Sequence, residues 1–288
     1  MLHVPVMLEE VVAWLAPRSG VILADGTLGG GGHTRALAER VEPDGQVLAF
    51  DRDPAALAVA EASLRGLPIK LVHADYADLP EVLVQLGIPA IDGVVLDLGL
   101  SSDQLADTER GFSFDADGPL DLRFDPTSGE PAWKLIERLS EKELADVIYR
   151  FGEERFSRRI ARRLVEQRRS SPVRTAGELA RLVRSCVPRS PGHSIDSATR
   201  TFQALRIAAN GELDSLERTL RELPDCLSPG GRVAIISFHS LEDRLVKTAF
   251  RDDPRYKVLT RKPIRPSEAE VARNPRARSA KLRAAARQ

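Results

Sequence analysis

The sequence predicts an α/β fold in which helices cover both faces of a parallel, doubly wound sheet. Short apolar runs recur at residues 20–25, 46–51, 69–75 and 91–99, and runs of this length are typical of buried strands. The segments between them have the apolar spacing of helices. Strands that alternate with helices are joined by crossovers and therefore pair in parallel.

The alternation stops after the fourth apolar run. The stretch that follows begins with the turn-rich segment DTERGFSFDADGPLDLRFDPTSGEP and continues with helical patterns such as ERFSRRIARRLVEQRR. We therefore expect three parts: residues 1–104 as the first half of the sheet domain, residues 105–210 as an inserted helical substrate-binding domain, and residues 211–288 as the second half.

The last part returns to the strand pattern and ends in a basic tail. RVAIISFHS (232–240) predicts a fifth strand, and KVLT (257–260) predicts a last edge strand. The residues that follow are rich in Arg and Lys and largely lack aromatic side chains.

The composition narrows the class of protein. The two cysteines, Cys186 and Cys226, form no CxxC pair, so we expect neither a disulfide framework nor a zinc cluster. The N-terminus, MLHVPVMLEEVV, lacks the basic start of a signal peptide. No apolar run approaches the roughly 20 residues that cross a bilayer. We expect a cytoplasmic protein with no membrane partner and no metal.

The net charge of zero conceals a separation of charge along the chain. Residues 1–149 contain 11 Lys/Arg and 26 Asp/Glu, whereas residues 150–210 contain 14 and 5, and residues 244–288 contain 14 and 4. One basic helix can be a solvated surface. Two basic regions of this strength favour a polyanionic partner.

The segment ADGTLGGGGHTRA (24–36) places a glycine-rich turn between the first predicted strand and the next helix. In α/β sheets such turns bind nucleotide cofactors through backbone N–H groups. A P-loop needs a lysine that Gly32-His33-Thr34 lacks, and the dinucleotide fingerprint G-x-G-x-x-G/A also fails. Two interpretations remain: a site for the amino-acid end and ribose of S-adenosylmethionine, and a tight turn without a ligand.

Polar side chains follow the next three predicted strands. Asp51, Asp75 with Tyr76, and Asp97 stand where these strands end. Each could be a simple strand-end cap, but the carboxyl ends of parallel strands meet at the edge of the sheet where ligands bind. Asp51 lies about 20 residues after the glycines, a spacing that suits a contact to ribose hydroxyls. Tyr76 could flank an adenine ring.

Several longer motifs make a resemblance specific. The chain contains, in this order, HVPVMLEEVV, DGTLGGGGHT, FDRDPAAL, LDLGLSSDQL, FGEERFSRRIAR, TRTFQALRI, LSPGGRVAIISFHSLEDR and NPRARSAKLRAA. In these motifs the chain resembles the ribosomal RNA small-subunit methyltransferase H family, nearly from end to end. The resemblance implies a class I, Rossmann-like S-adenosylmethionine-dependent methyltransferase sheet with an inserted helical domain. It also implies N4-methylation of a cytidine in the decoding region of bacterial 16S rRNA.

The resemblance carries roles for particular residues. For S-adenosylmethionine it implies contacts from the glycine turn, the strand ends and the segment LDLGLSSDQL: Gly31, Gly32, His33, Asp51, Tyr76, Asp97 and Gln104.

For the RNA we expect contacts from two aromatic residues and from the two basic regions: Phe112, Phe114, Arg158, Arg159, Arg162, Arg163, Arg276 and Arg278. The two phenylalanines could instead anchor a small core. We expect the partner to be 16S rRNA within the small ribosomal subunit; monomer and homodimer both stay open. Truncation before Asn274 is expected to reduce the slope of log RNA affinity against log salt and to leave cofactor binding intact.

The chemistry of an exocyclic amine calls for a proton acceptor. Its lone pair is delocalised into the cytosine ring, so an acceptor for the N–H favours the attacking geometry. Asp97 is the candidate, with the main-chain carbonyls of 98–101 as helpers.

Methylation at carbon 5 would need a cysteine at the end of the fourth or fifth strand, where there is none. A catalytically silent RNA-binding assembly factor is the second alternative.

Overall fold

The computed structural model describes residues 4–113, 117–188 and 196–288. These residues form one seven-stranded sheet with helices around it and a separate group of helices. The strands are β1 Ile22–Asp25, β2 Gln46–Asp51, β3 Ile69–His73, β4 Ile91–Asp97, β5 Leu227–Ser237, β6 Tyr256–Val258 and β7 Lys281–Arg287.

The helices differ widely in length. They are α1 Leu8–Leu15, α2 Gly32–Val41, α3 Pro54–Ser63, α4 Leu79–Leu86, α5 Ser102–Ala106, α6 Ala132–Arg138, α7 Glu141–Gly152, α8 Ser157–Arg168, α9 Ala176–Cys186, α10 Thr199–Asn210, α11 Glu212–Cys226, α12 Ser240–Asp252 and α13 Glu268–Arg273. Tyr76–Asp78 and Pro275–Ser279 form short 3-10 turns. In the described ranges, no helix is long and apolar enough to cross a membrane.

The strand order is β3-β2-β1-β4-β5-β7-β6. Strands β1 to β5 pair in parallel, which confirms the predicted parallel sheet, and β7 runs antiparallel to both β5 and β6. The chain moves outward from β1 to β3 and then returns to place β4 on the other side of β1. This reversal creates a switch point between β1 and β4, where ligands bind at the carboxyl ends of strands.

Alternating side chains of the central strands fill a core on each face of the sheet. Leu96 and Ile235 point into the layer that contains α4 and α11, while their neighbours Val95 and Ile236 point into the layer that contains α1 and α2. All four are fully buried. The continuous apolar runs in the sequence follow from this two-sided burial.

By its internal contacts the chain divides into two compact units. The first consists of residues 1–102 and 213–288, and contains the sheet. The second consists of residues 103–212. Within it, α7 packs against α8 and α10, and α8 packs against α9. Buried leucine and isoleucine side chains on these helices form its core: Leu144, Ile148, Ile160, Leu164, Leu179 and Leu205.

The C-terminal residues belong to the sheet. Strand β7 lies between β5 and the edge strand β6, so the predicted edge strand is confirmed but its neighbour is the chain terminus. Leu282 and residues 284–285 are fully buried in β7. The effect of truncation before Asn274 on cofactor binding stays a prediction, but that truncation would also remove β7, which pairs with residues 232–237 of β5. The three consecutive alanines of β7, residues 284–286, have side chains small enough to pack beneath the helices on both faces of the sheet.

An ion-pair network fixes β7 to α12. Asp243 in α12 accepts from Arg283 Nε at 2.7 Å and from Lys281 Nζ at 3.1 Å. The Arg283 side chain is only 8% exposed, and that of Asp243 is 16% exposed. A buried guanidinium requires such a partner, because an uncompensated charge in the interior is strongly destabilising.

We expect Asp243→Asn to lower the free energy of unfolding by about 3 kcal/mol, because it leaves Arg283 buried without its carboxylate. Chemical denaturation measures the loss. Asp252→Asn is the matched control on the same helix, since its pair with Arg251 lies on the surface, and we expect little change from it. Equal effects of the two substitutions would contradict a structural role for the Asp243 network.

Candidate active site

The glycine turn lies directly at the switch point, between Asp25 at the end of β1 and the start of α2. Gly29 and Gly31 have φ angles of +47° and +74°, a left-handed conformation that strains other residues. At Gly32 an added Cβ would come within 2.9–3.0 Å of the Pro5 ring. The glycines are therefore required by the path of the turn and by the N-terminal segment packed on it.

Asp25 holds the glycine turn against β4. Its carboxylate accepts from Thr34 Oγ1 at 2.6 Å and from the Thr27 backbone N–H at 3.0 Å, and its side chain is almost fully buried. The Thr27 hydroxyl in turn accepts from the backbone N–H of Asp97 at 2.7 Å. This chain of hydrogen bonds joins the carboxyl ends of β1 and β4, so the two carboxylates have fixed positions.

Asp51 lies at the end of β2 and reaches back to the glycine turn. It accepts from the Gly29 N–H at 2.8 Å and, through its other oxygen, from the Asp53 N–H at 2.8 Å. Burial raises the pKa of Asp51 to about 6, although the two backbone hydrogen bonds act in the opposite direction. Each oxygen retains a lone pair, so the carboxylate can accept two further hydrogen bonds.

Asp75 and Tyr76 follow β3 and play different parts. Asp75 caps a 3-10 turn by accepting from the Ala77 N–H at 2.9 Å, and it also accepts from Ser215 Oγ at 2.8 Å. Its cap role was one of the alternatives left open by the sequence. Tyr76 packs close under the turn: a Cβ at Gly26 would lie 2.8 Å from the Tyr76 Cβ.

Asp97 ends β4 and has an unusual environment. Its Oδ1 is buried and has no hydrogen-bond partner in the described part of the chain, although the side chain as a whole is 18% exposed. Burial raises the pKa of Asp97 well above its usual range, and the carboxylates of Asp25, Glu242 and Glu270 raise it further. A carboxylate oxygen held in this way lacks a hydrogen-bond donor, which a ligand could supply.

Two of these acidic neighbours were missed by the sequence analysis. Glu242 is only 2% exposed and accepts from the Phe238 N–H at 2.8 Å as part of the cap of α12. Its signal was the motif SFHSLEDR, in which an acid stands three residues after the helix cap. Glu270 in α13 accepts from the Met7 N–H at 2.6 Å. The sequence contained no signal for this contact between the two ends of the chain.

The sequence analysis used residues 4–7 only as part of the motif HVPVMLEEVV and predicted no place for them in the site. The Val6 carbonyl lies 3.0 Å from His33 Nε2, and the Val4 carbonyl accepts from Asn274 Nδ2 at 3.2 Å. His33 is 4% exposed, and its Nδ1 lies 3.8 Å from Asp97 Oδ2. The segment therefore closes over the first turn of α2 and places a buried imidazole next to Asp97.

The structure brings Gly31, Gly32, His33, Asp51, Tyr76 and Asp97 together around this switch point, on the first compact unit. Gln104 is a buried residue of α5 and belongs to the second unit.

Of the two phenylalanines expected to contact RNA, one can be described. Phe112 is 5% exposed and stacks on Phe124 with the ring centroids 6.0 Å apart. This burial favours the alternative that Phe112 anchors a small core. Phe114 lies outside the described residues.

The arginines expected to contact RNA are all exposed. In α8, Arg162 lies 3.6 Å from Glu141 and Arg163 lies 3.5 Å from Glu166. Arg158 and Arg159 form no ion pair with any described residue. The same holds for Arg276 and Arg278, which protrude from the 3-10 turn Pro275–Ser279 on either side of buried Ala277. These four cations are free to meet an external anion.

The chemistry of this edge of the sheet suits a cationic ligand. Asp25, Glu242 and Glu270 are close enough to Asp97 to interact with it electrostatically, and Asp51 adds a further carboxyl group beside the glycine turn. A pyrophosphate would be repelled by such a set, whereas a sulfonium with its ammonium group would be attracted. Asp51 also has spare acceptor sites for vicinal hydroxyls. The residues present therefore fit S-adenosylmethionine and disfavour a dinucleotide.

The sheet order, with a parallel core and an antiparallel β7 beside β5, defines a Rossmann-like class I methyltransferase fold. A crystal structure of a candidate rRNA methylase from Clostridium thermocellum is similar over the whole of both chains, with a TM-score of 0.50 and 12% sequence identity. A likeness at this level of identity concerns the fold alone.

The sequence defines the family. The model of the MraW methylase family matches residues 1–288, and the chain belongs to that family. Relatives named Ribosomal RNA small subunit methyltransferase H include one from Rhodopirellula baltica, 54% identical over 99% of this chain and 91% of the relative. Another, from Sorangium cellulosum, is 50% identical over 99% and 90%. The protein is a methyltransferase that uses S-adenosylmethionine.

The raised pKa of Asp51 predicts how the stability of the cofactor-free protein depends on pH. Because the folded value of about 6 exceeds the ordinary 3.8, folding favours the protonated form, and the stability this confers is lost as the pH rises through about 6. Relative to Asp51→Asn, the wild-type free energy of unfolding should fall by about 2–3 kcal/mol between pH 4 and pH 6. Denaturant titrations across that range measure the change, and a constant difference would contradict the raised pKa that burial gives Asp51.

Proposed function

We propose that this protein methylates N4 of a cytidine in the decoding region of bacterial 16S rRNA, with the small ribosomal subunit as its substrate. The observation that carries the proposal is the buried Oδ1 of Asp97, which has no partner among the described residues and stands at the carboxyl end of β4. The names of the relatives support ribosomal RNA as the substrate.

The cofactor lies, in this proposal, on the glycine turn. The backbone of Gly31, Gly32 and His33 would hold it at the start of α2, and Asp51 would accept from its ribose hydroxyls. Tyr76 would contact the adenine, and Asp97 would complete the set in the first compact unit. The family resemblance also implies a contact from Gln104. When bound, S-adenosylmethionine supplies a methyl group on a positively charged sulfur.

Asp97 is the acceptor for the cytosine amine. The amine nitrogen is a weak nucleophile as long as its lone pair is shared with the ring. A hydrogen bond from N4–H to an ionised carboxylate favours the geometry in which that lone pair can attack, and the carboxylate can take the proton as the N–C bond forms. The neighbouring acids that raise the pKa of Asp97 also make its ionised form a stronger base.

The second compact unit binds the RNA in this proposal. Its helix α8 presents Arg158 and Arg159 without ion-pair partners among the described residues, next to Arg162 and Arg163. An exposed row of guanidinium groups can displace counterions from phosphates. In the first unit, Arg276 and Arg278 offer a further exposed pair. Extrusion of the target base from its stack would bring its amine to the methyl donor.

Carbon-5 methylation is disfavoured by the two cysteines. That reaction needs a thiolate nucleophile near the methyl donor. Cys226 ends α11 within the apolar core, and burial raises its pKa to about 11. Cys186 is buried in α9 of the second unit. Neither side chain has the exposed environment of a reactive cysteine.

The direct test uses purified small subunits, radiolabelled S-adenosylmethionine and mass spectrometry of the digested RNA. We expect N4-methylcytidine as the product. Asp97→Asn keeps the size of the side chain and one acceptor oxygen but removes the charge. We expect it to lower the single-turnover rate by at least ~100-fold and cofactor affinity by less than tenfold.

Three results would contradict the assignment. Methylation at carbon 5 would exclude the proposed product, and no transfer by the wild type would favour a silent assembly factor. An equal loss of rate and affinity in Asp97→Asn would mean that Asp97 only holds the cofactor. Asp92→Asn is the matched control, because Asp92 stands at the opposite end of the same strand and accepts from the Ile22 N–H at 2.9 Å.

Salt dependence tests the RNA surface. Replacement of Arg158, Arg159, Arg162 and Arg163 by Glu should reduce the slope of log affinity against log salt, because each phosphate contact contributes roughly 0.7–0.9 to that slope. Cofactor binding should not change. Filter binding at several salt concentrations measures the slope. The control is Arg138→Glu, which reverses an exposed arginine of α6 that already pairs with Glu130 at 2.9 Å. An unchanged slope in the quadruple variant would show that these arginines are solvated surface.

A further inference from the structure

The corner between α7 and α8, in the second compact unit, is rich in aromatic and basic side chains. Residues 149–163 read YRFGEERFSRRIARR, with three aromatic residues, six arginines and two glutamates. The segment runs from the last turn of α7 through the connection 153–156 into α8. An arginine stands next to each aromatic residue. Aromatic side chains combined with basic ones are typical of surfaces that bind single-stranded nucleic acid.

Tyr149 is the exposed aromatic residue of this corner. It is 62% exposed, and no other aromatic residue in the described part of the chain is exposed to this extent. Phe151 and Phe156 are only half-buried, but both lie closer to the interior. A tyrosine ring carries a large apolar surface that a partner can cover. The fold leaves this surface in contact with water.

The arginines of the corner are largely without acidic partners. Four of them form no ion pair with any residue that the structure describes: Arg150, Arg155, Arg158 and Arg159. Several arginines elsewhere in the second unit do have such a partner, as Arg206 has in Glu212 at 2.8 Å and Arg123 has in Asp121 at 2.7 Å. The positive charge of the corner is therefore available to an external anion.

Two of these arginines are placed on aromatic rings. The guanidinium carbon of Arg155 lies 4.9 Å from the centroid of the Phe156 ring, and that of Arg150 lies 5.9 Å from the centroid of the Phe151 ring. A cation–π contact orients a guanidinium group without neutralising its charge. Guanidinium planes, like aromatic rings, are surfaces on which unpaired RNA bases stack.

The backbone of the corner is fixed by the rest of the second unit. The Phe151 carbonyl accepts from Gln203 Nε2 in α10 at 2.9 Å. At Gly152 an added Cβ would overlap the Arg200 carbonyl oxygen, so α7 packs directly on α10 there. Because the helix that carries Tyr149 is already in place, binding has to order little more than side chains, which keeps its entropic cost low.

We propose that the corner between α7 and α8 binds an unpaired segment of RNA, with a base stacked on the Tyr149 ring and phosphates at the unpaired arginines. The inference rests on the proposed function in that RNA is the partner. Bases inside an A-form duplex are stacked on one another and do not reach the ring, so the site selects a single strand. A protein partner could also cover a tyrosine, but six arginines against two glutamates favour a polyanion.

Three substitutions at one position separate stacking from burial. Tyr149→Ala removes the ring, Tyr149→Leu keeps apolar surface but not the aromatic face, and Tyr149→Phe keeps the ring. Because Tyr149 is exposed, none of them opens a cavity in a core. Val84→Ala is the control, since Val84 is an apolar residue of the first unit that is 81% exposed.

The measurement is fluorescence anisotropy of the full-length protein with a labelled single-stranded oligoribonucleotide and with an RNA duplex, at several salt concentrations. We expect Tyr149→Ala and Tyr149→Leu to weaken single-strand binding by at least ~5-fold, the lower end of the loss for one stacking partner. The slope of log affinity against log salt should stay that of the wild type, because no charge is removed.

The remaining variants and the duplex serve as references. Tyr149→Phe and Val84→Ala should bind the single strand within about twofold of the wild type, since each leaves an aromatic ring at the site. Duplex affinity should be the same in all variants.

Several results would overturn the proposal. These are the failure of the wild type to bind the single strand, an unchanged single-strand affinity in Tyr149→Ala, and an equal loss for the duplex. A loss seen only with whole small subunits, and not with naked RNA, would mean that Tyr149 contacts a ribosomal protein instead. If Tyr149 supports single-strand binding as expected but no N4-methylcytidine forms in the transfer assay, the RNA site stands and the proposed product is wrong.

Discussion

The hydrogen bonds that tie the carboxyl ends of β1 and β4 together are the constraint on which the site depends. Asp25 accepts from Thr27 and Thr34, and Thr27 accepts from the backbone of Asp97. Because Asp25 is almost fully buried, these bonds cannot exchange for water without cost. They set the path of the glycine turn, the start of α2 and the position of Asp97 in one network at the switch point of the sheet.

The same edge of the sheet carries several acidic groups in a poorly solvated setting. The pKa of Asp51 is raised to about 6 and that of Asp97 well above its usual range, in both cases mainly by burial. An ionised carboxylate without a cation is less stable there than in water. A positively charged ligand that offers hydroxyl and amine donors lowers the free-energy cost of these ionised carboxylates. The same groups that destabilise the free protein therefore contribute to the binding energy of the cofactor.

Both ends of the chain complete the first compact unit. Strand β7 supplies the antiparallel neighbour of β5, and Asp243 holds it through Arg283. The N-terminal segment packs on Gly32 and reaches α13 through Glu270. Contacts of such large sequence separation carry a high loop-closure entropy unless the chain between them is folded. The orientation of the His33 ring therefore depends on a fully folded chain.

The sequence alone determined the parallel sheet, the glycine turn and the acids at the strand ends, because apolar periodicity and glycine positions are local signals. It also indicated the family, through long motifs. Only the tertiary structure decided that the basic C-terminus is partly a buried strand, that Phe112 belongs to a core, and that Glu270 reaches Met7. The segment KLRAAAR is compatible with an exposed tail or with a strand. It is a strand because residues that are distant in sequence but adjacent in space pair with it.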